Sequence, residues 1–241
     1  QEEVVAMGKK KLAYLSTKEK VPSSGELTIT QVWAPSHDTY GVSPEGRYLN
    51  YIDWVSIELA VKDLKTGEGR NVTDRGTWKP PMQFPDKSVW SHDSKKLSYF
   101  WYYVDSTQLR ILNIDGSGNR LLCTGRGLQT PWPIAWSPDG SYILALGKLP
   151  GDTSTDENNG HLVAVSVEDG SIRLLKELEP DQADCCGSIS PDGQSIAYPL
   201  KETGDSNKAN IYLLSEDGSS ETLVVENPAH DTDPVWRPDG N

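Results

Sequence analysis

One tetrapeptide limits what this chain can fold into more than any other feature. Ser137-Pro138-Asp139-Gly140 returns as Ser190-Pro191-Asp192-Gly193 and as Arg237-Pro238-Asp239-Gly240, with altered copies at Ser43-Pro44-Glu45-Gly46 and Ser91-His92-Asp93-Ser94. At the second position the copies stand 48, 46, 53 and 47 residues apart. A near-constant period of that length marks a repeat architecture, in which neighbouring units bury each other's apolar faces. The tetrapeptide is turn chemistry. Pro sets φ at the first central position, Asp tolerates the second, and Gly accepts the positive φ that follows a type I turn in a three-residue hairpin connection.

Apolar runs flank the turn: Ile134-Ala135-Trp136 before it and Tyr142-Ile143-Leu144-Ala145-Leu146 after it. This predicts strand, tight turn, strand. A third strand is read at Leu59-Ala60-Val61, Leu109–Leu112, Leu162–Val165 and Ile211–Leu214. A second turn then contains Gly67, Gly116, Gly170 or Gly218. A fourth strand follows at Asn71-Val72-Thr73, Arg120-Leu121-Leu122, Ile172–Leu175 or Thr222-Leu223-Val224. Four antiparallel strands per repeat predict an all-β propeller of four-stranded blades.

The whole chain, 1–241, reads as a single propeller domain with blades at about 40–76, 85–127, 131–180 and 187–228. Gly8–Ser16 looks like the strand that follows a motif turn, and Asp233-Pro234-Val235-Trp236 like an inner strand leading into one. A split blade built from 1–39 plus 229–241 would make five blades, closed by the two termini. The alternative is a fragment of a larger propeller. Gly151–Gly160 and Glu202–Asn207 are predicted to be exposed insertion loops.

A formal charge of −12 and a pI near 4.8 exclude a nucleic-acid groove, which needs a basic stripe. Lys9-Lys10-Lys11 is a short solvated cluster. No apolar run approaches the roughly 20 residues of a transmembrane helix. Three Cys form no disulfide framework and read as free thiols.

The run Trp136-Ser137-Pro138-Asp139-Gly140, then Ile196-Ala197-Tyr198, then Ile211-Tyr212 ahead of Asp217-Gly218, resembles the TolB-like (WD40-like, PD40) bacterial β-propeller repeat. The resemblance is clear from Tyr40 to Gly240. It implies propellers like those of periplasmic TolB, of the gating domains of prolyl-oligopeptidase-type peptidases and of other exported bacterial proteins. A periplasmic or extracellular location and a protein partner are therefore expected.

Position supplies the candidate site. The residues ahead of each inner strand should rim one mouth of the central channel: His37 and Asp38 in blade one, Trp132 in blade three, Asp184 in blade four, and His230, Asp231 and Asp233 at the closing blade. Blade two offers Asp86-Lys87. Imidazole, carboxylate and indole at one mouth suit a protein partner or a small polar ligand, with a divalent cation as an option and no other cofactor. The same residues also serve as turn caps. Asp152-x-Ser154-x-Asp156-x-Asn158 alternates oxygen ligands like a calcium loop but has Glu157 where Gly is needed and Val163 where Glu is needed. No nucleophile elbow, His-Glu-x-x-His, Cys-x-x-Cys or P-loop occurs. Trp90, Trp136 and Trp236 share one register and read as inter-blade packing. The preferred function is a non-enzymatic interaction or ligand-binding module of an exported bacterial protein. The alternatives are the gating propeller of a larger hydrolase and a metal-dependent lyase or hydrolase using the His/Asp rim.

Overall fold

The interval between turn motifs is spent on strands. Blade one comprises β1 (Thr39–Val42), β2 (Tyr48–Asp53), β3 (Glu58–Asp63) and β4 (Gly69–Asn71); blade two comprises β5 (Gln83–Trp90), β6 (Lys96–Tyr103), β7 (Ser106–Asn113) and β8 (Arg120–Thr124). Blade three comprises β9 (Gln129–Trp136), β10 (Tyr142–Lys148), β11 (His161–Ser166) and β12 (Ile172–Glu177); blade four comprises β13 (Ser188–Ile189), β14 (Ser195–Glu202), β15 (Asp205–Ser215) and β16 (Glu221–Val225). This computed structural model describes residues 39–152, 160–179, 182, 186–202, 205–226, 228–237 and 240. Each blade is an antiparallel sheet in chain order, and the described residues contain no helix. The expected propeller blades are therefore present.

All five turn motifs close alike. The N–H of Gly46, Ser94, Gly140, Gly193 and Gly240 donates to the carbonyl three residues back at 2.8–2.9 Å. Ser94 takes the left-handed position itself (φ 60°), so the copy without Gly keeps the turn. Inside the turn, Ser137 Oγ donates to Asp139 (2.7 Å) and accepts from Tyr142 N (3.0 Å); Ser91 and Ser190 do the same with Asp93 and Asp192.

Blades pack face to face, which explains why their middle strands are apolar on both sides. In β10, Ile143 and Ala145 bury against Leu109, Leu122 and Leu128 of blade two, while Leu144 buries against Ile196 and Tyr198 of blade four. Three devices then recur at the blade junctions. First, the motif Trp donates its indole N–H to the inner strand of the preceding blade: Trp90 to Gly41 O (3.1 Å), Trp136 to Val89 O (3.1 Å), Trp236 to Ser188 O (3.2 Å). Second, an outer-strand Arg reaches a turn carbonyl of the next blade: Arg70 to Ile114, Arg120 to Val167, Arg173 to Glu216. Third, a turn Gly of one blade packs on the outer strand of the blade before it. A Cβ on Gly170 would lie 2.0 Å from the Leu122 carbonyl oxygen, and one on Gly218 would lie 2.4 Å from that of Leu175. In blade four Thr222 stands in the Arg column. There Val224, aligned with the buried Leu122 and Leu175, is 47% exposed.

Several expectations need correction. β4 ends at Asn71: Val72 N still donates to Leu59 O (2.8 Å), but the Thr73 hydroxyl, not a backbone carbonyl, takes the Leu59 N–H (2.9 Å). The second insertion is not a free loop: Glu202 ends β14 and pairs with Asp205 of β15, so it extends a hairpin. The calcium-like loop and the first insertion fall mostly on 153–159, outside the described residues. The split blade rests in large part on 1–38, also outside them. Residues 228–237 make no strand pairing among the described residues, although Ser188 Oγ donates to Pro234 O (2.8 Å) beside the Trp236 bond.

Candidate functional site

Strand polarity gives each blade two ends. The β1–β2 and β3–β4 turns lie on one, here the turn face. The β2–β3 loops and the connections between blades lie on the other, the loop face.

The loop face of blades one and two carries an aromatic cluster. Trp54 follows β2, Trp78 sits in the connection to blade two, Phe84 is in β5 and Tyr102 in β6. Trp54 stacks on Trp78 (5.8 Å between centroids, 18°), Trp78 meets Phe84 at 5.2 Å, and Phe84 stacks on its cross-strand partner Tyr102 at 4.8 Å. Half of Trp78 remains exposed. Val55 and Val104 project nearby in sequence, at 88% and 61% exposure.

Trp54 and Trp78 stand on constrained loops, Phe84 and Tyr102 on strands. Asp53 holds the turn after β2: its carboxylate accepts from Val55 N (3.0 Å) and Ser56 Oγ (2.8 Å). Ile57 closes that turn at φ 64°, a left-handed conformation costly for a β-branched residue. Gly76 packs so closely on it that a Cβ would lie 1.7 Å from the Ile57 carbonyl oxygen. Thr77 and Gln83 exchange two backbone hydrogen bonds (2.7 and 3.0 Å), clasping the loop that presents Trp78. Beneath it, buried Glu58 accepts from the Thr73 hydroxyl and from Gly76 N (2.6 Å). Burial holds the Glu58 carboxyl above the usual carboxylate range, against the opposing pull of these donors.

The residues expected from position are only partly gathered. Trp132 lies inside β9 rather than ahead of it, and its ring stacks flat on Phe100 of blade two (4.6 Å, 4°). Asp86 and Lys87 likewise lie inside β5, where a bulge skips Lys87 and leaves it at φ 23°. His230, Asp231 and Asp233 share one segment; Asp231 N donates to Ala209 O (2.9 Å), and Asp233 has φ 53°. His37, Asp38 and Asp184 lie outside the described residues. Among the described residues no three His, Cys, Asp or Glu side chains converge as a metal centre. Burial pushes the Cys123 thiol up to about 11. Position alone missed Trp54, Trp78 and Phe84. The usable signal was that Trp54 and Trp78 stand outside the Trp register of the repeat.

No family model matches the chain. Over 126 residues, 52% of this chain and 25% of the relative, it is 32% identical to the Tol-Pal system protein TolB of Anaeromyxobacter dehalogenans strain 2CP-C. The match thus spans about a quarter of the length of that curated relative. Among solved structures, a TolB from Agrobacterium tumefaciens superposes with a TM-score of 0.63 at 20% identity, over 87% of this chain and 69% of that one. An oligogalacturonate lyase from Vibrio parahaemolyticus gives 0.56 at 18% identity, over 83% and 55%. At these identities the structures speak for the fold alone, and the fold is a TolB-like β-propeller.

Proposed function

We propose that this chain is a protein-interaction module of an exported bacterial protein, acting in the periplasm without catalysis or a cofactor, with the loop face as its binding surface. The observation that carries the reading is the Trp54–Trp78–Phe84–Tyr102 cluster. Interface hot spots are enriched in Trp and Tyr, and exposed apolar patches on soluble proteins mark contact surfaces. Rings already locked by Asp53, Glu58 and the Thr77–Gln83 clasp lose little freedom when a partner arrives. The similarity to a protein of the Tol-Pal system points the same way. The lyase neighbour shares the fold, and a propeller fold does not carry an activity with it.

A photo-crosslinking amino acid placed at Val55, exposed and next to Trp54, in a bacterium exporting the chain, tests the reading. A discrete protein adduct is expected, with none from the same probe at Pro191 on the turn face. Equal adducts from both positions, or none from Val55, would refute it. Fractionation of the same cells checks the periplasmic placement.

A further inference from the structure

A cleft of about 390 Å³ opens between blades one and two, where β4 stops short. β8, β12 and β16 run for five or six residues, whereas β4 has three. Residues 71–75, at and past its end, form one wall; β6, Arg110 of β7 and the β7–β8 turn form the other. β6 is also distinct in composition. Trp90 pairs with Leu97 and Trp136 with Ile143, so Tyr99, Trp101 and Tyr103 take the places of Ala145, Gly147 and Leu149 in blade three. The three rings form a ladder with centroid steps of 6.1 and 6.2 Å. Tyr99 and Trp101 are buried and close the floor of the cleft, while Tyr103 is partly exposed.

The polar groups above that floor are fixed by neutral partners. Asn119 Oδ1 accepts from Tyr99 Oη (2.9 Å) and from Arg110 Nε (3.0 Å), and Gln108 Oε1 accepts from Arg110 Nη1 (2.8 Å). These bonds orient the Asn119 amide and hold the guanidinium. They leave Asn119 Nδ2 and Arg110 Nη2 as donors with no hydrogen-bond partner among the described residues. Asp115 is held in the same one-sided way. Its Oδ1 accepts from Ser117 N (2.9 Å) and Ser117 Oγ (2.6 Å), and its Oδ2 has no such partner. The other two charged residues of the cleft, Asp74 and Arg75, pair with each other at 3.8 Å.

We infer that this cleft binds a neutral saccharide. Arg75 and Arg110 against Asp74 and Asp115 leave no net charge to select an anion or a cation. The cleft offers instead fixed donors beside a fixed acceptor, over an aromatic floor. A sugar matches that set, because each hydroxyl both donates and accepts and the ring carries an apolar C–H face. One hydroxyl accepts from Asn119 Nδ2 and Arg110 Nη2, another donates to Asp115 Oδ2, and the sugar ring lies beside Tyr103. The volume falls within the roughly 300–1,000 Å³ of small-molecule sites. The inference does not depend on the loop-face reading above.

The test applies the labelled chain to an array of neutral and acidic oligosaccharides, then titrates a bound neutral one as free sugar by isothermal calorimetry. Binding to a neutral saccharide is expected, at least tenfold weaker for Asn119→Asp and for Asp115→Asn. Each substitution is near-isosteric and keeps the Oδ1 contacts, but exchanges the free donor for an acceptor or the free acceptor for a donor. A site built to bond a hydroxyl rejects a partner that leaves its groups unpaired. Urea midpoints close to that of the wild type show that the fold is intact. Retention of no neutral saccharide, retention of acidic ones alone, or undiminished affinity in either variant would overturn the site. None of these results touches the loop-face reading, whose crosslink at Val55 reports on a different surface.

Discussion

On the turn face, all five motif turns repeat one backbone hydrogen bond, four of them joining two strands, and Arg and Gly columns tie blades together. On the loop face, no two connections of the described residues match. There Ile57 and Thr130 take left-handed backbone, and Trp78 and Arg126 are exposed. The difference teaches where each face spends its free energy. Repetition at the turn face serves blade assembly, which every repeat must solve in the same way. Irregular, strained and exposed elements do nothing for assembly and accumulate where a protein meets something else.

The largest effect expected is from Trp136→Ala, which removes a buried ring and its bond to Val89 O. It should cost about 3–5 kcal/mol in urea denaturation. Trp78→Ala on the other face should cost within about 1 kcal/mol yet abolish the adduct from a crosslinker at Val55. If the two substitutions destabilise alike, the division of labour is wrong. Next comes Gly170→Ala, at φ 74° and against the Leu122 carbonyl, which should lose roughly 2 kcal/mol or more from left-handed strain plus the clash.

The propeller was legible because its information is periodic. A turn needing left-handed backbone recurs in every blade, and an indole that must find a carbonyl recurs at Trp90, Trp136 and Trp236, so each copy reinforces the others. The Arg column was equally readable, since Arg70, Arg120 and Arg173 fall at matching outer-strand positions. The candidate site was not. The expected rim placed Trp132 and Asp86-Lys87 ahead of their strands, but β9 and β5 begin earlier and carry these residues inside them, with a bulge re-aiming Lys87. The Trp78 loop and the Arg126 turn occur once each, so no periodicity announces them. Only the hydrogen bonds that Glu58 and Thr107 accept show that they are held.

Titration should separate the two faces by sign. Hydrogen bonds from Ser171 N and Ser219 N bring Asp169 and Asp217 down to about 2, and the Ser190 hydroxyl lowers Asp192. Groups lowered in this way contribute stability that is complete above the unfolded value of about 3.9 and is lost as pH falls toward 2. Glu58, raised by burial, behaves oppositely: its contribution is complete below the unfolded value of about 4.3 and is lost as pH rises through its folded value. Urea midpoints measured from pH 2 to 8 should therefore show a shallower acid slope in the Asp169→Asn/Asp217→Asn double variant. In Glu58→Gln they should lose instead the decline on the neutral side of pH 4. Identical profiles in both variants would break the comparison. The smallest effect expected is from Ser94→Gly, a net change within about 1 kcal/mol, because relief of left-handed strain is offset by loss of the bond that the buried Ser94 hydroxyl accepts from Glu45 N (3.1 Å).

The most direct measurement sets a crosslinker at Val55 against the same probe at Lys65. Lys65 sits in the β3–β4 turn of blade one, so the two probes stand on opposite faces. A discrete protein adduct should form from Val55, disappear with Trp78→Ala, and not form from Lys65. Equal adducts from both positions, unchanged by Trp78→Ala, would leave the loop face no claim to be the binding surface.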